Sequence, residues 1–246
     1  LGAYSDDLLF IHIPKTGGTA VKEWLAENVP GMVPATDDDS PLPIGHIPLR
    51  DIQRFTGREP SSWKRIIAVV RNPYEQQLSQ WMFWSDRYRR GQRHVHDITA
   101  AHYATLAGWL QDPRCDFHIW YESVFGGPKG SKYRLNMAHR DPFTRYEQFG
   151  GYYRYWVEVD GAIPQNVSIL KQEDLAETLL PAVREFTIPD PPPLHRSNRG
   201  PRRAETIEYY TPHAARVIEA KFRWTFDRGY YDRWDLGHND EMRGAV

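Results

Sequence analysis

Leu8-Leu9-Phe10-Ile11-His12-Ile13-Pro14-Lys15-Thr16-Gly17-Gly18-Thr19 passes in one short stretch from a nearly unbroken apolar run to a glycine-rich turn. The apolar run reads as a strand buried on both faces and ended by Pro14. The five residues from Lys15 to Thr19 hold too much glycine for a strand or helix interior. Ala20, Val21, Trp24, Leu25 and Val29 then recur at helical spacing up to Pro30-Gly31, so the order is strand, glycine loop, helix. The order repeats at Arg65-Ile66-Ile67-Ala68-Val69-Val70, followed by Arg71-Asn72-Pro73. There Asn72 reads as an N-cap and Pro73 as the first helical residue, with Leu78, Trp81, Met82, Ser85 and Tyr88 on one face. A third strand, Val167-Ser168-Ile169-Leu170-Lys171, leads through Glu173-Asp174-Leu175 into a helix that reaches Phe186. Strands alternating with helices predict an α/β fold, a parallel, doubly wound sheet with helices on both faces and a ligand beyond the carboxyl ends of the strands.

Outside these units the pattern is looser. Residues 34–48 read as a surface loop before a short helix at 49–55, residues 98–110 as helical, and 143–159 as an aromatic cluster broken by Gly150-Gly151. Pro189-Asp190-Pro191-Pro192-Pro193 predicts a stiff, extended stretch, and Thr211-Pro212 the start of a last helix through Val217, Ile218 and Phe222. No internal repeat is evident, and a chain of 246 residues fits one domain, 1–246.

Composition narrows the function classes. Lys plus Arg is 31 against 32 for Asp plus Glu, so a net charge of −1 supplies no long-range field to gather nucleic acid or an anionic membrane. Any anion must be held by local groups. One cysteine, Cys115, excludes an internal disulfide framework and a cysteine-rich zinc site, and points to a reducing compartment, the cytoplasm. No apolar run approaches the roughly 20 residues of a membrane span. Because the sequence opens on Leu1, a trimmed anchor and a Golgi lumenal location stay open as the alternative. Oligomeric state is not encoded in any pattern here.

A strand running into Lys-Thr-Gly-Gly-Thr before a helix is a device for holding phosphate. Glycines let the backbone approach, amides at the helix start point at the anion, and Lys15 adds charge. It is not the nucleoside-triphosphate loop, in which lysine follows the glycines and a Ser or Thr next to it holds magnesium. A tight turn with an exposed lysine is the competing reading of the segment taken alone.

Residues His12 to Thr19 resemble the 5′-phosphosulfate loop of sulfotransferases that use 3′-phosphoadenosine 5′-phosphosulfate (PAPS), above all the carbohydrate branch containing the heparan 2-O-sulfotransferases. Val69-Val70-Arg71-Asn72-Pro73-Tyr74, with Ser79 eight positions after Arg71, resembles the same family's 3′-phosphate site. Ile169 to Leu175 resembles a third landmark, a strand entering an acidic helix start. The resemblance spans about residues 8–175 and implies a P-loop-like sulfotransferase fold. It implies that Lys15, Thr16, Gly17, Gly18 and Thr19 hold the 5′ end of PAPS, while Arg71 and Ser79 hold the 3′-phosphate. A bidentate guanidinium suits that last task.

Sulfuryl transfer needs charge stabilised on the leaving oxygen, for which Lys15 is the candidate, and a base for the acceptor hydroxyl. Gly45-His46-Ile47-Pro48 resembles the segment that carries the catalytic histidine in the heparan 2-O-sulfotransferase branch, which makes His46 the leading base against a solvated loop histidine. After the third landmark that family has a basic segment over the nucleotide. Here His195 to Arg203 is basic, and Arg196, Ser197 and Arg199 are candidate lid contacts, though the lid motif itself has no clear match.

Several residues invite a second reading. Glu173 and Asp174 suit a helix cap better than catalysis, and His12 suits a structural role. His94-Val95-His96-Asp97 with His102 lacks the second cluster a metal site needs, so no metal is expected. Tyr146, Phe149, Tyr152, Tyr153, Tyr155 and Trp156 either line an acceptor cleft or pack a core. Asn166-Val167-Ser168 is a formal glycosylation sequon at a strand start. The expected activity is transfer of a sulfuryl group from PAPS, leaving 3′,5′-ADP, to a hydroxylated acceptor, a glycan before a glycolipid or small molecule. Rivals are a nucleotide-dependent phosphoryl transferase and a non-catalytic glycan- or nucleotide-binding module.

Overall fold

A computed structural model describes residues 2–34, 46–91, 100–112, 151–194 and 205–234. Their contacts divide the chain into two compact units, Leu1–Asn72 with Tyr153–Pro201, and Pro73–Tyr152 with Arg202–Val246.

The first unit holds the sheet. Strands β1 (Ala3–Tyr4), β2 (Leu8–Ile11), β3 (Val33–Pro34), β4 (Arg65–Val70) and β5 (Val167–Lys171) lie in the order β3-β1-β2-β4-β5. β2, β4 and β5 are parallel, with Ile11 opposite Ala68 and Val70 opposite Lys171. The expected parallel sheet is therefore only these three of the five strands. β1 pairs antiparallel with β2 and with β3, which makes the sheet mixed. The reason is local: Ser5 to Asp7 turn the chain back in three residues, too few for the crossover that a parallel neighbour needs.

Every residue of β2 is buried, as are Ile66 to Val70 of β4, which is why both runs lack the polar alternation of a one-sided sheet. On one face Leu8, Phe10, Ile67 and Val69 form a core with Val21, Trp24 and Leu25 of helix α1 (Gly18–Asn28). Leu175, Leu179 and Val183, from a helix spanning Leu175–Val183, complete it. The 3₁₀ turn Arg184–Phe186 carries that last helix to the expected end. Trp24 Nε1 donates to the Pro192 carbonyl at 2.7 Å, seating the proline-rich stretch on α1. Leu49–Asp51 and α2 (Ile52–Thr56) form the short helix expected there.

The second unit is helical. α3 (Pro73–Arg89) begins on its proline as expected, and α4 (Ala100–Ala104) and α5 (Leu106–Gln111) share the segment read as one helix. The break falls at Thr105, whose side chain caps α5 through the Gly108 amide. The predicted stripe of α3 is only part of what it buries: Leu78 and Ser85 are buried as expected. Gln76, Gln77 and Gln80 are buried, while Trp81, Met82 and Tyr88 are only partly covered. Lys221, the last residue of the Pro212–Lys221 helix, is fully buried and donates to Gln77 Oε1 at 2.8 Å. A buried ammonium needs polar partners, so the glutamines face inward. Thr211 caps that helix through the Ala214 amide, 3.1 Å away, with Pro212 at its first position as predicted.

Candidate functional site

Because β2, β4 and β5 run parallel, the segments that leave them gather at one edge of the sheet. β2 runs out into His12 to Gly17, β4 into Arg71-Asn72, and β5 into Gln172-Glu173. Arg71 Nη1 donates to the Lys15 carbonyl at 3.3 Å, so the two resembled phosphate motifs touch. The Tyr153 hydroxyl braces this arginine from both sides. It donates to the Arg71 carbonyl at 2.8 Å and accepts from the Arg71 amide at 3.1 Å. Burial pushes the Tyr153 phenol well above its ordinary value, so it stays a neutral donor.

Lys15 has a φ of 64°, the left-handed region that costs a lysine of order 1 kcal/mol and that few non-glycine residues enter. The fold holds that strain by burying the next residue, Thr16, whose hydroxyl donates to the Ile13 carbonyl at 2.9 Å. The Thr16 side chain is thus spent on the turn. Gly17 is also left-handed, at φ 83°, and a Cβ there would meet Gln172 Nε2 at 3.1 Å. It occupies the cap position of α1 without any side-chain cap bond, so the first amides of α1 are not closed by a capping side chain. Thr19, the second residue of α1, is exposed.

His46 stands beside this loop. Its Nδ1 lies 2.8 Å from the His12 carbonyl oxygen, and the two rings have centroids 4.4 Å apart at 56°. His12 is also stacked on Phe10, 5.9 Å between centroids. Burial first, then the nearby charges of His46, Lys22 and Lys15, lower the His12 pKa well below the usual histidine value. His12 is therefore a neutral imidazole just past the end of β2.

Glu173 does not cap its own helix, contrary to expectation. Its Oε1 accepts from the Asn72 amide at 2.9 Å and ties the end of β5 to that of β4, and Asp174 makes no side-chain cap bond. Tyr152, Tyr153, Tyr155 and Trp156 are buried, which favours core packing over a cleft lining. Both Asn166 Nδ2 hydrogen bonds, to the Pro60 and Trp63 carbonyls at 3.1 and 2.9 Å, occupy the amide of the sequon. His102 pairs with Asp112 at 3.1 Å. Ser79 is partly buried on α3, in the second unit. Arg196, Ser197, Arg199, His94, His96, Tyr146, Phe149 and Cys115 lie outside the described residues. Sequence reasoning missed Tyr153 as the brace of Arg71 and the His12–His46 contact, since both join residues more than 30 positions apart.

No family model matches the chain, and no curated protein and no solved structure matches it.

Proposed function

We propose that the chain transfers a sulfuryl group from PAPS to the hydroxyl of an acceptor, with a carbohydrate as the first choice. The observation that carries this is the junction of Lys15 and Arg71, two cationic residues that leave neighbouring parallel strands and are joined by a hydrogen bond next to an α1 start without a side-chain cap. Among the described residues no helix is long and apolar enough to cross a membrane. A single cysteine suits a reducing compartment, the cytoplasm.

The donor set suits PAPS. It carries a phosphosulfate at one end and a phosphate at the other, and needs separate cationic holds in a protein with almost no net charge. In this reading Lys15 and the amides of Gly17, Gly18 and Thr19 bind the 5′ end. Thr16 contributes its backbone, since its hydroxyl already serves Ile13. Arg71 binds the 3′-phosphate. Ser79, Arg196, Ser197 and Arg199 enter on the spacing of the resembled motifs alone. The acceptor oxygen forms a bond to sulfur as the bond from sulfur to the 5′-phosphate oxygen breaks. The acceptor's proton passes to His46, and the electron pair leaves on 3′,5′-ADP, where Lys15 stabilises it. The reading carries with it the P-loop-like sulfotransferase fold.

Calorimetry against 3′,5′-ADP and against ATP with magnesium tests the reading. Preference for 3′,5′-ADP, with sulfate transfer from labelled PAPS to one of a panel of glycans and small alcohols, is the expected result. Tighter binding of ATP with magnesium would return the chain to phosphoryl transfer.

A further inference from the structure

We infer that His12 is the positioning residue of His46, holding its imidazole with hydrogen on Nδ1 and the lone pair on Nε2, the form that can take an acceptor's proton. The catalytic meaning rests on the sulfuryl-transfer reading, whereas the tautomer is a property of the folded chain.

A carbonyl oxygen only accepts. At 2.8 Å from the His12 carbonyl, His46 Nδ1 must therefore be the donor. A neutral imidazole has a single N–H, so its lone pair falls on Nε2. When Nε2 takes a proton, the bond from Nδ1 becomes charge-assisted and strengthens, so the same carbonyl stabilises the imidazolium.

The ring of His12 supplies the second hold. It meets the His46 ring at 4.4 Å and 56°, a tilted contact that opposes rotation of the loop-borne His46 ring. His12 is in turn fixed by Phe10 of β2 and by Gly18 of α1, where an added Cβ would lie 1.9 Å from His12 Cδ2. Strand, helix and loop thus meet on one imidazole. The charged groups that face it, Lys15, Lys22 and a protonated His46, are all cationic, so the ring takes no proton of its own that would repel the His46 imidazolium.

The test reads the tautomer directly, by two-bond ¹H–¹⁵N correlation in histidine-labelled full-length protein, alongside kcat and 3′,5′-ADP affinity. The expected result is Nδ1–H at His46 in the parent and a mixture of tautomers in His12→Ala, which keeps the backbone carbonyl but loses the ring that holds His46 against it. In that variant kcat falls by roughly 10- to 100-fold, as for a displaced catalytic group, with nucleotide affinity kept. His12→Phe, which restores a ring, recovers most of both. Nε2–H at His46 in the parent overturns the inference without any variant, as does His12→Ala with an unchanged tautomer or an unchanged kcat. Nδ1–H in the parent that is lost in His12→Ala, in a protein that transfers sulfate to nothing, upholds the positioning and overturns sulfuryl transfer.

Discussion

Lys15 is a residue whose backbone conformation is unfavourable for its own side chain. Strain of this kind persists where something else requires the residue, and an anion at the α1 start would require it. Lys15→Gly should raise stability to denaturant by about 1 kcal/mol by removing the left-handed penalty, while turnover falls further than nucleotide affinity. A parallel loss of affinity and turnover would remove Lys15 from the leaving-group role. His12 carries a pH signature as well. Its pKa in the fold is lowered, so the folded chain binds fewer protons than the unfolded one below the ordinary value of 6.5. Its contribution is complete above that pH and is lost as pH falls toward the folded pKa, at up to about 1.4 kcal/mol per pH unit. Urea titrations from pH 7 to 5 should show this slope in the parent and a shallower one in His12→Phe. Equal slopes would mean that the ring is exposed enough to protonate in place.

At the scale of elements, the start of α1 is where the site depends most on close packing. Gly18→Ala puts a methyl group into the space held by the His12 ring. Overpacking of this kind costs about 1 to 3 kcal/mol, and the displaced ring would carry its contact with His46 away. The variant should lose both thermal stability and turnover, and a variant that kept turnover at reduced stability would detach the first turn of α1 from the site. The parallel strands at the centre of the sheet were legible, because β2 and β4 are buried on both faces and so lack polar residues over their length. The antiparallel edge was not, since β1 and β3 have two residues each and leave no periodicity to read. The buried face of α3 was legible at Leu78 and Ser85 but not at its glutamines, because Gln77 answers a lysine 144 positions away.

For the whole molecule, a net charge of −1 leaves ligand binding to local groups. A ligand that binds the folded chain alone stabilises it by about 2.7 kcal/mol at 100 times its Kd. For a chain of this size that corresponds to roughly 5 to 10 °C in Tm. Saturating 3′,5′-ADP should raise the transition of the unit that holds the sheet by this amount, and ATP with magnesium should raise it less. An equal shift with both would favour a general nucleotide site. The amino-acid sequence by itself determined the three strand-to-helix junctions, the glycine turn after Lys15 and the helix starts at Pro73 and Pro212. Each of these is written in neighbouring residues, through local sterics, capping and periodicity. Only the tertiary structure decided that the junctions of Lys15 and Arg71 touch, that Tyr153 braces the arginine, and that the His12 carbonyl sets the tautomer of His46. Those contacts depend on strand order and on the packing of segments distant along the chain, which no local pattern of residues records.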